Sequence, residues 1–243
     1  MLLSIVIPAF NEEKIIEETL TQIKFALDAN RDESFSWEII VCDNNSTDQT
    51  AVIASESGAT VVFEPVNHIA KARNTGASSA QGEWLLFIDA DTYPRPGTIS
   101  EMLHLIRADN HIGCGSTIKV VDAPFWYKIN LEGHNIDWRL FKTCMGVFVL
   151  CRAETFHAIG GFSNDLYAFE DLDIVLRLKT YGRKQGKDFA VLHHYPVITS
   201  GRKGNLYGRW EMIKSSVIAL WYFITKKKIG GSGALPFWYD GRR

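Results

Sequence analysis

The chain has 243 residues, 46% of them hydrophobic and 22% charged, with a formal net charge of −2. This suits one large α/β domain, or one domain with a lid and tail, and the composition is that of an ordinary globular protein. A slightly acidic balance argues against nonspecific nucleic-acid binding, for which a clearly basic surface is expected.

The first half alternates strands and helices. Residues 2–8 form a continuous apolar run, as a strand buried on both faces should. Asn11 reads as the cap of a helix with Glu12 and Glu13 in its first turn, running to about residue 29. Residues 37–42 form a second strand ending at Asp43, and residues 47–57 a short helix capped by Ser46 or Thr47 and stopped by Gly58. Residues 60–63 form a third strand, 69–80 a helix, and 84–88 a fourth strand ending at Asp89. This order predicts a doubly wound parallel sheet, which binds ligands beyond the carboxyl ends of its strands. Asn11, Asp43 and Asp89 fall there together.

The second half is less regular. Residues 98–108 read as a helix, 112–121 as extended, and 124–141 as an aromatic-rich stretch that either lines a binding surface or forms a core helix. An apolar strand follows at 143–150, then a short helix to Gly160-Gly161, a helix over 170–181 and an extended run at 189–192. Residues 205–225 read as an amphipathic helix and 230–243 as an irregular tail.

The cysteines (Cys42, Cys114, Cys144 and Cys151) make no CxxC pair, so neither a zinc site nor a disulfide framework is indicated. The opening MLLSIVIPAF meets Pro8 too early for a signal peptide, and no run approaches the length of a spanning helix. The expectation is a cytoplasmic protein. A basic, aromatic segment, Trp210 to Lys228, adds a possible peripheral contact with a membrane.

Four constellations can carry chemistry. Asp89-Ala90-Asp91 after the strand WLLFI offers two carboxylates that can share a hard cation; a plain strand-ending turn fits it too. Asp43, in VCDNNSTD, can accept from a nucleobase N–H. Lys71 and Arg73, in KARNTG, can steady a phosphate, or simply line a solvated helix face. Glu170, Asp171 and Asp173 open a helix, where acids are favoured by the macrodipole alone, but where one carboxylate can also act as general base.

The segments IVIPAFNEE, DNNSTDQT, ARNTG, FIDADT and GGFSNDLYAFEDLDIVLRL, in this order over residues 1 to about 200, resemble the family 2 glycosyltransferases with the GT-A fold. The resemblance implies a mostly parallel α/β sheet with residues 1–92 as the nucleotide-sugar-binding half, 93–203 as the acceptor and catalytic half, and 204–243 as a C-terminal helix and tail. It implies donor contacts from Pro8, Asn11, Glu12, Asp43, Arg73, Asp89, Ala90 and Arg202. Asp91, with Asp89, would hold Mn2+ or Mg2+. Asp171, beside Glu170, would be the base of an inverting displacement. At most one of His193 and His194 would add a metal ligand, since strand alternation sends the two to opposite faces, and a structural histidine fits as well. Arg202 could grip a phosphate through two N–H groups, and a solvated basic loop fits the same residues.

The expected donor is a UDP- or GDP-linked sugar and the expected acceptor a hydroxyl, saccharide or lipid-linked. Two other readings stay open: a retaining transferase on the same fold, and a noncatalytic, membrane-associated nucleotide-sugar-binding module.

Overall fold

The computed structural model describes residues 1–206 apart from 33, 145 and 146, together with 210, 214 and 217. The expected helix over 205–225 beyond residue 206, the tail at 230–243 and most of the basic aromatic segment lie outside the described residues.

Among the described residues, eight strands build one mixed sheet. In chain order the elements are β1 (Leu2–Ala9), α1 (Ile16–Asp28), β2 (Ser36–Asp43), α2 (Thr50–Glu56), β3 (Thr60–Phe63), α3 (Ile69–Ser78), β4 (Trp84–Ile88) and β5 (Thr92–Tyr93). They continue as α4 (Pro96–Ala108), β6 (His111–Val121), α5 (Phe125–Phe141), β7 (Phe148–Arg152), α6 (Ala153–Ala158), α7 (Glu170–Lys184), β8 (Asp188–Ser200) and α8 (Arg202–Leu206). The sheet order is β3-β2-β1-β4-β7-β6-β8-β5. The first four strands are parallel, β7 runs antiparallel to both β4 and β6, and β6 and β8 are parallel again. The doubly wound parallel arrangement expected of the first half is present there, and β7 makes the sheet as a whole mixed.

The apolar runs are continuous because both sheet faces are covered. In β4, Trp84, Leu86 and Ile88 join the core beneath α1 and α4, while Leu85 and Phe87 join the core shared with Phe156, Ile174 and Leu178. Strand β7 divides likewise, Phe148 and Leu150 to one core and Val149 and Cys151 to the other.

Several boundaries move from their expected places. Asn11 has φ 53°, a left-handed conformation, and caps no helix; α1 starts at Ile16, after a turn in which the Glu12 carbonyl accepts from Ile15 and Ile16. Its first-turn acids are Glu17 and Glu18. Helix α2 starts at Thr50, where Asp48, rather than Ser46 or Thr47, accepts from the Thr50 N–H at 2.9 Å. Strand β7 starts at Phe148, and β8 runs on past Leu192 to Ser200. That extension is long-range pairing with β6 and β5, which local pattern does not carry.

Candidate active site

The turns after β1 and β2 interlock. Asn11 Oδ1 accepts from Thr47 N at 2.8 Å, Ser46 Oγ accepts from Asn11 N at 3.0 Å, and Thr50 Oγ1 accepts from Glu12 N at 2.7 Å. Asp43, buried at the end of β2, accepts from Ser46 N at 3.1 Å. Next to it, Asn44 donates to the carbonyls of Glu64 and Val66 and accepts from His68 N, tying down the loop into α3. Pro8 lies in β1 opposite Cys42. Asp43 and Asn11 lie on this edge, as their strand-end positions predict, and Asn44 and His68 join them there without a sequence signal of their own. His68 is buried, and its ring lies 4.6 Å from that of Tyr167. Burial lowers its pKa, while the nearby Glu170 charge opposes that shift. Nothing in the sequence around a single histidine signals such a place.

The DxD motif sits on a turn held from both sides. Thr92 N donates to the Asp89 carbonyl at 3.0 Å, closing the turn. Strand β8 grips its far side: Ser200 N donates to the Asp91 carbonyl at 3.1 Å, and Thr92 Oγ1 donates to Thr199 Oγ1 at 2.8 Å. Ala90 packs into the core, while Asp89 meets Arg73 and Asp91 meets Arg202.

Arg73 is not on a solvated face; it is 1% exposed. Helix α3 presses against β1 at Gly76, where a β-carbon would stand 2.5 Å from Val6 Cγ1. One turn earlier, Arg73 is carried in beneath the crevice. Its Nη2 donates to Asp89 Oδ1 at 2.8 Å and its Nη1 to Glu170 Oε1 at 2.7 Å, with the guanidinium 5.1 Å from the centre of the Phe162 ring. One buried cation thus joins the DxD turn to the start of α7.

Immediately before α7, Phe169 is buried with φ 60°. A left-handed conformation costs a residue with a β-carbon about 1–2 kcal/mol, and such strain clusters at functional sites. Asp171 follows, half-buried. Burial first, then the adjacent Glu170 charge, pushes its carboxyl up to about 7, against the opposing pull of Arg73. Asp173 instead pairs with Arg177 at 2.7 Å, and Arg177 holds the Ile159 carbonyl. That arrangement is structural.

Arg202, at the start of α8, is no solvated loop residue. It takes both Glu12 oxygens, at 2.9 and 3.1 Å, and reaches Asp91 Oδ2 at 3.4 Å. Burial, with the Asp91 charge nearby, raises the Tyr127 phenol to about 12. The aromatic stretch divides between its two readings: Tyr127 and Trp138 enter the core, whereas Phe125, Ile129, Ile136, Leu140 and Phe141 stand exposed along α5.

His193 and His194 are brought to Glu101 of α4, not to Asp91. The register of β8 against β6 breaks between Leu192, opposite Ser116, and Val197, opposite Ile118. The intervening residues bulge, alternation is lost, and the two rings lie side by side, 4.2 Å apart at 30°. The expectation of opposite faces, with one ring at the DxD metal, is corrected accordingly.

Residues 4–164 match the model of Glycosyl transferase family 2. An uncharacterized glycosyltransferase of Haemophilus influenzae is 29% identical over 190 residues, 73% of this chain and 62% of that protein. A dolichol-phosphate mannosyltransferase of Pyrococcus furiosus is 30% identical over 145 residues, 55% of this chain and 39% of that one. The chain thus spans less than two thirds of the length of these relatives. Among solved structures, the mannosyltransferase PcManGT of Pyrobaculum calidifontis, in complex with GDP-Man and Mn2+, superposes with TM-score 0.67 at 19% identity, covering 98% of this chain and 68% of that one. S. aureus TarS 1–349 in complex with UDP-GlcNAc gives 0.63 at 21% identity, covering 82% and 58%. These likenesses show the fold. With the family match over residues 4–164, they make this chain a member of glycosyl transferase family 2.

Proposed function

We propose that the protein transfers a sugar from a nucleoside-diphosphate donor to a hydroxyl acceptor with inversion, using Asp171 as base. The observation that carries this reading is the Arg73 bridge, which ties Asp89 of the donor edge to Glu170 beside Asp171. Donor and base are thereby held in one frame, as an in-line displacement requires.

Asp43 and the locked turns after β1 and β2 suit a nucleobase and ribose, with Pro8, Asn11 and Glu12 along the same edge. The residues fit a divalent cation. Asp91 offers hard oxygen ligands of the kind Mg2+ and Mn2+ prefer, and in this structure a guanidinium cation already lies against it. Asp91, with Asp89, would hold such an ion, which when bound would offset charge on the diphosphate. Arg202, within reach of Asp91 and Glu12, would add a second cation for the leaving group.

The acceptor oxygen gives its proton to Asp171 as it bonds to the anomeric carbon. The bond from that carbon to the diphosphate oxygen breaks, and the nucleoside diphosphate leaves with the electron pair. A carboxyl raised to about 7 is a stronger base than an ordinary aspartate and remains largely ionised in weakly alkaline solution. The exposed apolar side of α5 suits a lipid-linked acceptor. Among relatives, a UDP-Glc:alpha-D-GlcNAc-diphosphoundecaprenol beta-1,3-glucosyltransferase of Escherichia coli is 32% identical over 94 residues, 37% of this chain and 35% of that one. Among the described residues no helix is long and apolar enough to cross a membrane.

The test supplies UDP- and GDP-sugars with Mn2+ and follows nucleoside diphosphate release, with anomeric configuration read by NMR. Metal-dependent release with inversion is expected from at least one donor. Retention would remove Asp171 as base, and no release from any donor would overturn the transferase reading.

A further inference from the structure

We propose that His193, His194 and Glu101 form a second cation site, for a zinc-class divalent transition metal, separate from the donor crevice. One ligand atom from each residue lies within 4.8 Å of the other two. Bonds of about 2.0–2.2 Å to nitrogen and oxygen would draw these atoms together by small side-chain rotations.

The histidines are already poised as ligands. His193 Nδ1 faces the Val191 carbonyl at 3.2 Å and His194 Nδ1 faces Glu101 Oε1 at 2.8 Å. His193 Nδ1, facing a carbonyl, must be the donor, which leaves its Nε2 lone pair for a metal; a cation between His194 Nδ1 and Glu101 Oε1 would take the place of the proton they share. Among the described residues Glu101 Oε2 is buried without a hydrogen-bond partner, an arrangement that costs free energy until a cation or donor meets it.

The platform is rigid. The bulge at residues 193–196 is pinned to α4: Thr98 Oγ1 donates to the Tyr195 carbonyl at 2.6 Å, and Arg95 Nε donates to the Pro196 carbonyl at 3.3 Å. Tyr195 also lies against Gly97, where a β-carbon would sit 2.5 Å from the ring. Two imidazoles and one carboxylate suit zinc, nickel or copper better than Mg2+ or Mn2+, which favour oxygen. The six residues from His194 to Ser200 place the cluster on the order of 15–20 Å along β8 from Asp91. A cation there would clamp β8 to α4, and with it the strand end that holds the DxD turn.

The test is calorimetric titration of Zn2+ into the full chain, without a histidine tag, in saturating Mn2+. One saturable equivalent is expected. The double variant His193→Gln/His194→Gln should weaken it at least 100-fold, and Glu101→Gln by about 10–100-fold. Circular dichroism and the thermal midpoint report whether each variant folds, and visible absorption of added Co2+ gives an independent reading of nitrogen ligation. Asp91→Ala should leave the zinc isotherm unchanged. Absence of a saturable equivalent, an isotherm indifferent to the double substitution, or one lost with Asp91→Ala would each overturn the site.

Discussion

Asp171 carries the sharpest residue-scale consequence. Asp171→Asn keeps shape and removes the base, so turnover should fall by roughly 10²–10⁴ while donor affinity barely changes, since the lost interaction belongs to the transition state. In the wild type, kcat/KM should rise with pH through the raised carboxyl value of about 7. The same shift sets a stability trend. An unfolded aspartate titrates at about 3.9, so between there and 7 the folded chain binds more protons and stability falls as pH rises. The Asn variant escapes that loss. Its thermal midpoint should exceed the wild type's at pH 8, with the gap closing toward pH 4. An equal gap at both values would mean the Asp171 carboxyl is not raised.

Arg73 sets a second residue-scale expectation. Its removal leaves the buried Glu170 and the partly exposed Asp89 without their shared cation. Arg73→Met should cost about 3 kcal/mol in urea unfolding, the lower end for a broken buried pair because Asp89 retains some solvent. Loss of the cation should also move the kcat/KM profile to higher pH, because Arg73 holds the Asp171 value down.

At the scale of elements, the site depends on how closely α3 lies against β1. Gly76 permits that approach, with 2.5 Å between a hypothetical β-carbon and Val6 Cγ1. Gly76→Ala should force the helix outward and cost about 1–3 kcal/mol through overpacking. Because Arg73 rides on the same helix, donor affinity should weaken along with stability. A destabilised variant with unchanged donor affinity would show that the Arg73 position tolerates a shift of α3. Strand β8 matters in the same way: its last residues hold the Asp91 turn, and α8 then delivers Arg202 to Glu12 across 190 residues of sequence.

For the whole molecule, donor binding should stabilise the fold by mass action, about 2.7 kcal/mol at a hundredfold excess over Kd. A thermal-shift series with UDP or GDP and Mn2+ measures this. Asp91→Ala should lose the metal-dependent part, and Asp43→Ala should weaken the free nucleoside diphosphate as well as the full donor. A shift in Asp43→Ala confined to the sugar portion would remove Asp43 from the base site. The strand-helix alternation up to Asp89 was legible without coordinates, because uninterrupted apolar runs and helical periodicity are local properties of the chain. The positions of Asn11, Asp43 and Asp89 at strand ends followed from the same pattern. Tertiary structure alone decided the antiparallel β7, the extension of β8, the burial of Arg73 between two carboxylates, the grip of Arg202 on Glu12, and the departure of His193 and His194 to Glu101. Each depends on partners far apart in sequence or on a break in strand register, and neither leaves a trace in the spacing of neighbouring residues.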